Sequence, residues 1–183
     1  MAFATNYRGS KPFGPASLTG KNQNITEVST TQHYALGTIV QAVDPVFGVG
    51  SFIYCKGLDS TAIGEPISIA ADFTTSRATG GTAVGLLGVA MSACLTNYYG
   101  WYCIRGRCLG KIVGNMAVVS GSFQASIVAN VWSTAVTATK IVFRATATTG
   151  LSAGGSAVVG TDELTPAGFM TLYLNYPVAV LAV

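Results

Sequence analysis

The sequence predicts an all-β protein: a β-sandwich or barrel-like domain preceded by an extended N-terminal arm. Three observations predict it. Short runs rich in β-branched and aromatic residues recur along the chain, each stopped by Gly, Pro or Asp. "KIVFRAT" (140–146) alternates Ile141, Phe143 and Ala145 with Lys140, Val142, Arg144 and Thr146, the period of a strand with one wet face. No window carries a sustained i, i+3, i+4, i+7 apolar stripe built from good helix formers.

Residues 1–34 are rich in Gly, Pro, Ser, Thr and Asn and lack an apolar period, which predicts an arm or a loose lead-in. Its isolated aromatics Phe3, Tyr7 and Phe13 suit a segment laid on a neighbouring surface, and a frayed terminus is the plainer alternative. Residues 35–183 form the predicted β-rich domain. "LGTIVQAV" (36–43) reads as a strand stopped by "DPVFGVG", and "SFIYCKG" (51–57) as the next. "EPISIAA" (65–71), "TAVGLLGVAMSA" (82–93), "NYYGWYCIRGR" (97–107) and "KIVFRAT" follow. Residues 116–136 are the best helix candidate, weakened by Val, Ser and Thr. Residues 146–160, rich in Gly, Thr and Ala, predict a flexible connection. "FMTLYLNY" (169–176) and "YPVAVLAV" (176–183), hinged at Pro177, read as closing strands in this chain's sheet or a neighbour's.

Composition narrows the function classes. Hydrophobic residues make up 50% of the 183, yet charged residues only 9%, against roughly 25% in an average soluble domain. Ten basic and seven acidic side chains cannot cover a solitary surface at the usual density. Burial against other chains is therefore expected. A mean hydropathy of +0.49 invites a membrane reading, but "TAVGLLGVAMSACL" (82–95) and "YPVAVLAV" fall short of the roughly 18–20 residues a span needs. The first residues lack the apolar core of a secretory signal, so assembly in a reducing cytoplasm is expected. The net charge of +3 is scattered, with no block to hold a phosphate backbone or an anionic membrane.

Catalytic and metal chemistry finds little support. The single histidine, His33, would need Asp44 or Asp59 to orient it, and no G-x-S-x-G elbow accompanies it. The acids Glu27, Asp44, Asp59, Glu65, Asp72, Asp162 and Glu163 mostly adjoin Gly, Pro or Thr, the pattern of turn residues rather than a paired-carboxylate cleft. "GPASLTGKN" (14–22) has Asn22 where a phosphate loop needs Ser or Thr, and "ATGGTAVGLLG" (78–88) lacks a lysine. The four cysteines are expected as reduced, buried small groups. On a continuous strand Cys103 and Cys108 point to opposite faces, and they meet only if "IRGR" is a hairpin loop permitted by Gly106. A zinc site would further need Cys55 and Cys94 to converge. No catalytic residue, metal ligand or cofactor is assigned.

"YYGWYCIRGRC" (98–108) concentrates aromatics and arginines. On a regular strand Tyr99, Trp101, Cys103, Arg105 and Arg107 share one face, with Tyr98, Tyr102, Ile104 and Cys108 on the other. Arg beside Trp and Tyr could stack on bases, but no basic groove accompanies it. The same residues are enriched at protein–protein hot spots. The interface reading is favoured over one core face plus solvated arginines, with Tyr99, Trp101, Arg105 and Arg107 as contacts, joined by Tyr7 and Arg8 from the arm.

"LGTIVQAVDPVFGVGSFIYCKGLDSTAIGEPI" (36–67) and "TAVGLLGVAMSACLTNYYGWYCIRGR" (82–107) resemble a group of tailed-bacteriophage virion proteins, the head decoration or capsid cement proteins. The resemblance rests on Asp44, Pro45, Gly48, Gly50, Phe52, Ile53 and Tyr54, then Val89, Ala90, Ser92 and Ala93, then Tyr99, Gly100, Trp101, Ile104 and Gly106. It spans about 40% of the chain. The cysteines at 103 and 108 and Arg107 depart from the pattern, and the last forty or so residues have no counterpart. The resemblance implies a β-rich, commonly trimeric structural protein on the capsid exterior. Its partner would be the major capsid protein across subunit junctions, with no direct contact to nucleic acid or membrane. A tail or fibre module binding a host surface is the alternative reading, and a β-barrel enzyme the third.

Overall fold

The computed structural model describes residues 17–44, 47–79, 85–111, 123–124, 126–128, 131–133, 145–147 and 169–179. Every regular element among them is a strand, as the sequence predicts. Five of these strands close a barrel: β2 (Gly48–Gly57), β3 (Pro66–Ile69), β4 (Thr74–Arg77), β5 (Gly85–Ala90) and β6 (Tyr99–Lys111). Around the ring they run β2-β4-β3-β5-β6, and the β2–β6 pairing shuts it. A ring with an odd number of strands cannot be antiparallel throughout. The parallel join is β2–β4, where Lys56 and Gly57 pair with Thr74 and Thr75.

The register identifies the inner wall. Ile53 lies opposite Tyr102, Ala90 opposite Tyr102, and Ile69 opposite both Thr75 and Leu86, so these side chains share one side of the sheet. With Cys55, Ile67, Cys94 and Ile104 they form one apolar cluster. Tyr102 is fully buried there, and Thr75 Oγ1 donates to its hydroxyl at 3.1 Å. β4 supplies a hydroxyl instead of a hydrophobe, so its "TTSR" shows no apolar alternation and the sequence gives no sign of it.

A second core covers the outer wall. Phe52 and Tyr54 of β2, Leu87 and Val89 of β5, and Trp101 and Cys103 of β6 point away from the barrel and are buried. β1 (Ile39–Asp44) extends the sheet beside β2 and adds Val40 and Ala42. On the other flank the order continues through β11 (Phe169–Asn175), β10 (Ala145–Ala147) and β7 (Phe123–Gln124). β8 (Ser126–Val128) and β9 (Val131–Ser133) form a separate two-stranded sheet whose Trp132 joins this core. β12 (Val178–Ala179) pairs with β5, so the strand after Pro177 returns to the chain's own sheet.

Two expectations are corrected. The helix candidate 116–136 contains β7, β8 and β9 at its described residues: Phe123, Ile127 and Trp132 serve strands, and the β-branched content outweighs the helical period. The arm expected over 1–34 is also revised, because residues 17–34 are packed on their own domain. Ile25 and Tyr34 are buried in the outer core, and Ser29 makes a β-bridge to Tyr99. Gln23 holds the segment down: its side-chain oxygen accepts from the Tyr54 hydroxyl at 2.8 Å, and its amide donates to Tyr99 O at 3.0 Å. Residues 1–16, Tyr7 and Arg8 among them, and 148–160 of the predicted connection lie outside the described residues.

Candidate functional site

β6 is the strand on which the candidate residues sit, and it is not regular. Ser51 pairs with Arg105, yet Phe52 pairs with Cys103, leaving Ile104 as an inserted residue in a β-bulge. Two residues further, Gly106 takes φ +100°, and a Cβ there would lie 2.6 Å from Val49 O. The backbones of β2 and β6 approach so closely that only glycine fits. Before the bulge β6 alternates between the two cores, with both faces buried. Beyond it the phase shifts, and Arg105 and Arg107 emerge on an open face.

That face is laid out by register. Gln41, Ser51, Arg105 and Asn175 form a row across β1, β2, β6 and β11, and Arg107 lies opposite Tyr173 beside it. Adjacent strands sit about 4.8 Å apart, so the row crosses roughly 15 Å. Gln41, Ser51, both arginines, Phe47 and Tyr173 line a groove of ≈ 380 Å³ with Gly106 and Val49. The Arg107 guanidinium carbon stands 5.6 Å from the centre of the Phe47 ring, a cation–π contact that holds it in place. Beside the groove, Val43 and Val49 face each other across the β1–β2 hairpin, 51% and 57% exposed, and Ile39 follows on the same side at 51%. Among the described residues that line the groove none is a carboxylate.

The candidate residues therefore separate. Arg105 and Arg107 line the same groove. Trp101 does not join them: it is wholly buried among Tyr34 and Tyr54, with ring centroids at 5.0 and 4.8 Å, and its indole N–H donates to Gln23 O at 3.2 Å. Its assignment as a contact is corrected to a core residue. Tyr99 is half-buried and stacks on Tyr54 at 6.2 Å, and it is not among the residues that line the groove with the arginines. Tyr173, Phe47, Gln41 and Ser51 escaped the sequence reading. Tyr173 carried a signal, because it stands between Leu172 and Leu174 in a strand with one buried face.

Several of the other described titratable groups make contacts within the fold. His33 is buried, its Nδ1 contacting the Thr19 hydroxyl and its Nε2 the Ser29 hydroxyl at 3.1 Å, with neither Asp44 nor Asp59 among these partners. Glu65 is no simple turn residue: buried, it meets Lys111 Nζ at 2.9 Å and Arg77 Nε at 3.5 Å, and accepts from Ala62 N. It joins the ends of β4 and β6 to the start of β3. Asp72 does act in a turn, accepting from the Thr74 amide and hydroxyl, which hold its carboxyl below the usual range. Burial pushes the Tyr54 phenol up to about 12 and raises Tyr34 and Tyr102 as well.

The cysteines are free and buried. Burial raises the Cys55, Cys94 and Cys108 thiols, and Cys103 beside it raises Cys108 further. "IRGR" is not a hairpin loop, yet Cys103 and Cys108 share the outer core because the bulge shifts the side-chain phase between them. Among the described residues no three His, Cys, Asp or Glu side chains gather to hold a metal, and no helix is long and apolar enough to cross a membrane. Comparison with protein-family models, curated proteins and solved structures finds no match to this chain.

Proposed function

We propose that this chain is a structural virion protein that binds the outer capsid surface of a tailed phage and stabilises the head by bridging major capsid subunits. The observation that carries the reading is the face built at the β6 bulge. It sets two arginines, a half-exposed tyrosine and three exposed aliphatic side chains together on a barrel whose chain is otherwise poor in charge. Tyrosine and arginine anchors beside apolar surface are what protein–protein contacts use. The motif resemblance over 36–107 to head decoration proteins is what suggests the partner in this reading. Residues of that similarity have structural duties here: Gly106 permits the strand crossing, while Tyr54 and Trp101 build the outer core.

Such a protein works by burial. A standard contact buries about 1,600 Å² in total, and repetition around a closed oligomer, a trimer in this reading, multiplies modest contacts through effective concentration. The test is copy number. Quantitative mass spectrometry of purified particles, normalised to the major capsid protein, is expected to give a near-fixed ratio to the shell. A handful of copies per particle would favour a tail or fibre module instead, and absence from particles would overturn both.

A further inference from the structure

The groove at the bulge has a specific chemistry, and its occupant can be named by class. We propose that it is a carboxylate slot, which takes an Asp or Glu side chain from the partner protein. The proposal rests on the reading of this face as the docking face and deepens it.

Arg105 carries the argument. It is exposed, and no ion pair engages it among the described residues. Arg107 stands next to it, fixed over the Phe47 ring. The Arg105 guanidinium presents a planar fork of N–H donors, a geometry that matches the two oxygens of a carboxylate, and the Arg107 charge beside it adds to the positive field there. Gln41 and Ser51, in register beside Arg105, add an amide and a hydroxyl that can donate to the same oxygens. A volume of ≈ 380 Å³ holds one or two side chains rather than a folded element.

Charge and surroundings select among occupants. A second copy of this chain meeting the groove through the same face would set arginine against arginine, which is repulsive in any two-fold contact. A nucleic-acid backbone needs a track of cations, and here the groove is bordered by Val43 and Val49, which make no use of a phosphate. An acidic residue flanked by apolar ones satisfies both parts of the surface. The protein surface that supplies it is expected to be locally acidic.

The test uses the full chain and two blocked eight-residue peptides, one containing Glu flanked by Leu and Ala, the other its Gln isostere. At low salt the Glu peptide should shift the amide resonances of Ser51, Arg105 and Tyr173. The Gln peptide should bind about tenfold or more weakly, the loss expected when a charge-assisted hydrogen-bond pair is removed. Arg105→Gln, at an exposed position, should reduce Glu-peptide affinity by a similar factor while leaving the melting temperature unchanged. Arg107→Gln gives an independent second variant. Equal binding of the two peptides, or unchanged affinity in Arg105→Gln, would overturn the slot. Tighter binding of a short oligonucleotide at the same resonances would overturn it in favour of a nucleic-acid site. Glu-peptide binding by a protein absent from particles would remove the decoration reading alone. Full occupancy of particles by Arg105→Gln would remove the slot alone.

Discussion

At Gly106 the backbone adopts φ +100° while Val49 O sits where a Cβ would be, so the residue is constrained twice. Gly106→Ala is expected to destabilise the fold by about 1–3 kcal/mol from backbone conformation alone, with the carbonyl clash adding to it. Urea unfolding monitored by circular dichroism measures the loss, and a stability equal to the parent would refute the close crossing. Tyr54 offers a pH test. Its phenol is moved from 10.0 to about 12 by burial, so the neutral form is favoured in the folded state. The stabilisation is complete below pH 10 and is lost as pH rises from about 10 to 12, where the unfolded chain ionises first. Denaturant midpoints across that window should fall more for the parent than for Tyr54→Phe. The residue scale is also where composition misled: aromatics beside arginine describe a hot spot and an aromatic core equally well. Only the bulge after Cys103 separates Trp101, inside, from Arg105, outside.

Among the elements, the strands whose β-branched runs stop at Gly, Pro or Asp were legible, because alternation and turn chemistry agree there: β1, β2, β3, β5, β6 and β11. β4 was not, since its inward residue is Thr75 and its stabilisation is a hydrogen bond to Tyr102, which no local pattern encodes. The phase shift in β6 was invisible too. Gly106 signalled a special conformation, but a turn and a strand crossing both want glycine. The lead-in shows the same limit from the other side, for its polar composition conceals two buried anchors, Ile25 and Tyr34. Deleting residues 17–34 should therefore uncover Tyr54 and Trp101 and yield an insoluble or dye-binding protein, as exposed aromatic surface does. A soluble deletion variant with parental thermal stability would restore the view of this segment as a free arm.

Across the whole molecule, the two cores are not independent, because β2, β5 and β6 present one face to each. Loss of either empties one side of the same strands. Unfolding is expected to be a single transition, with tryptophan fluorescence, which reports the outer core, coinciding with far-ultraviolet circular dichroism; separated midpoints would show that the cores melt apart. The barrel seam also has a temporal consequence. Ile53 and Tyr102 are partners 49 positions apart, and Gln23 and Trp101 are 78 apart. The closing strand must therefore reach its place before the first described segment has a surface on which to lie. Pairings of such long separation are entered slowly, since loop entropy is lost before contacts form. Pulse-labelled exchange during refolding should protect the Ile53 amide no later than that of Ser29. The segment made early by the ribosome is then among the last to settle, and until it does the growing chain presents its most adhesive aromatic wall to its neighbours.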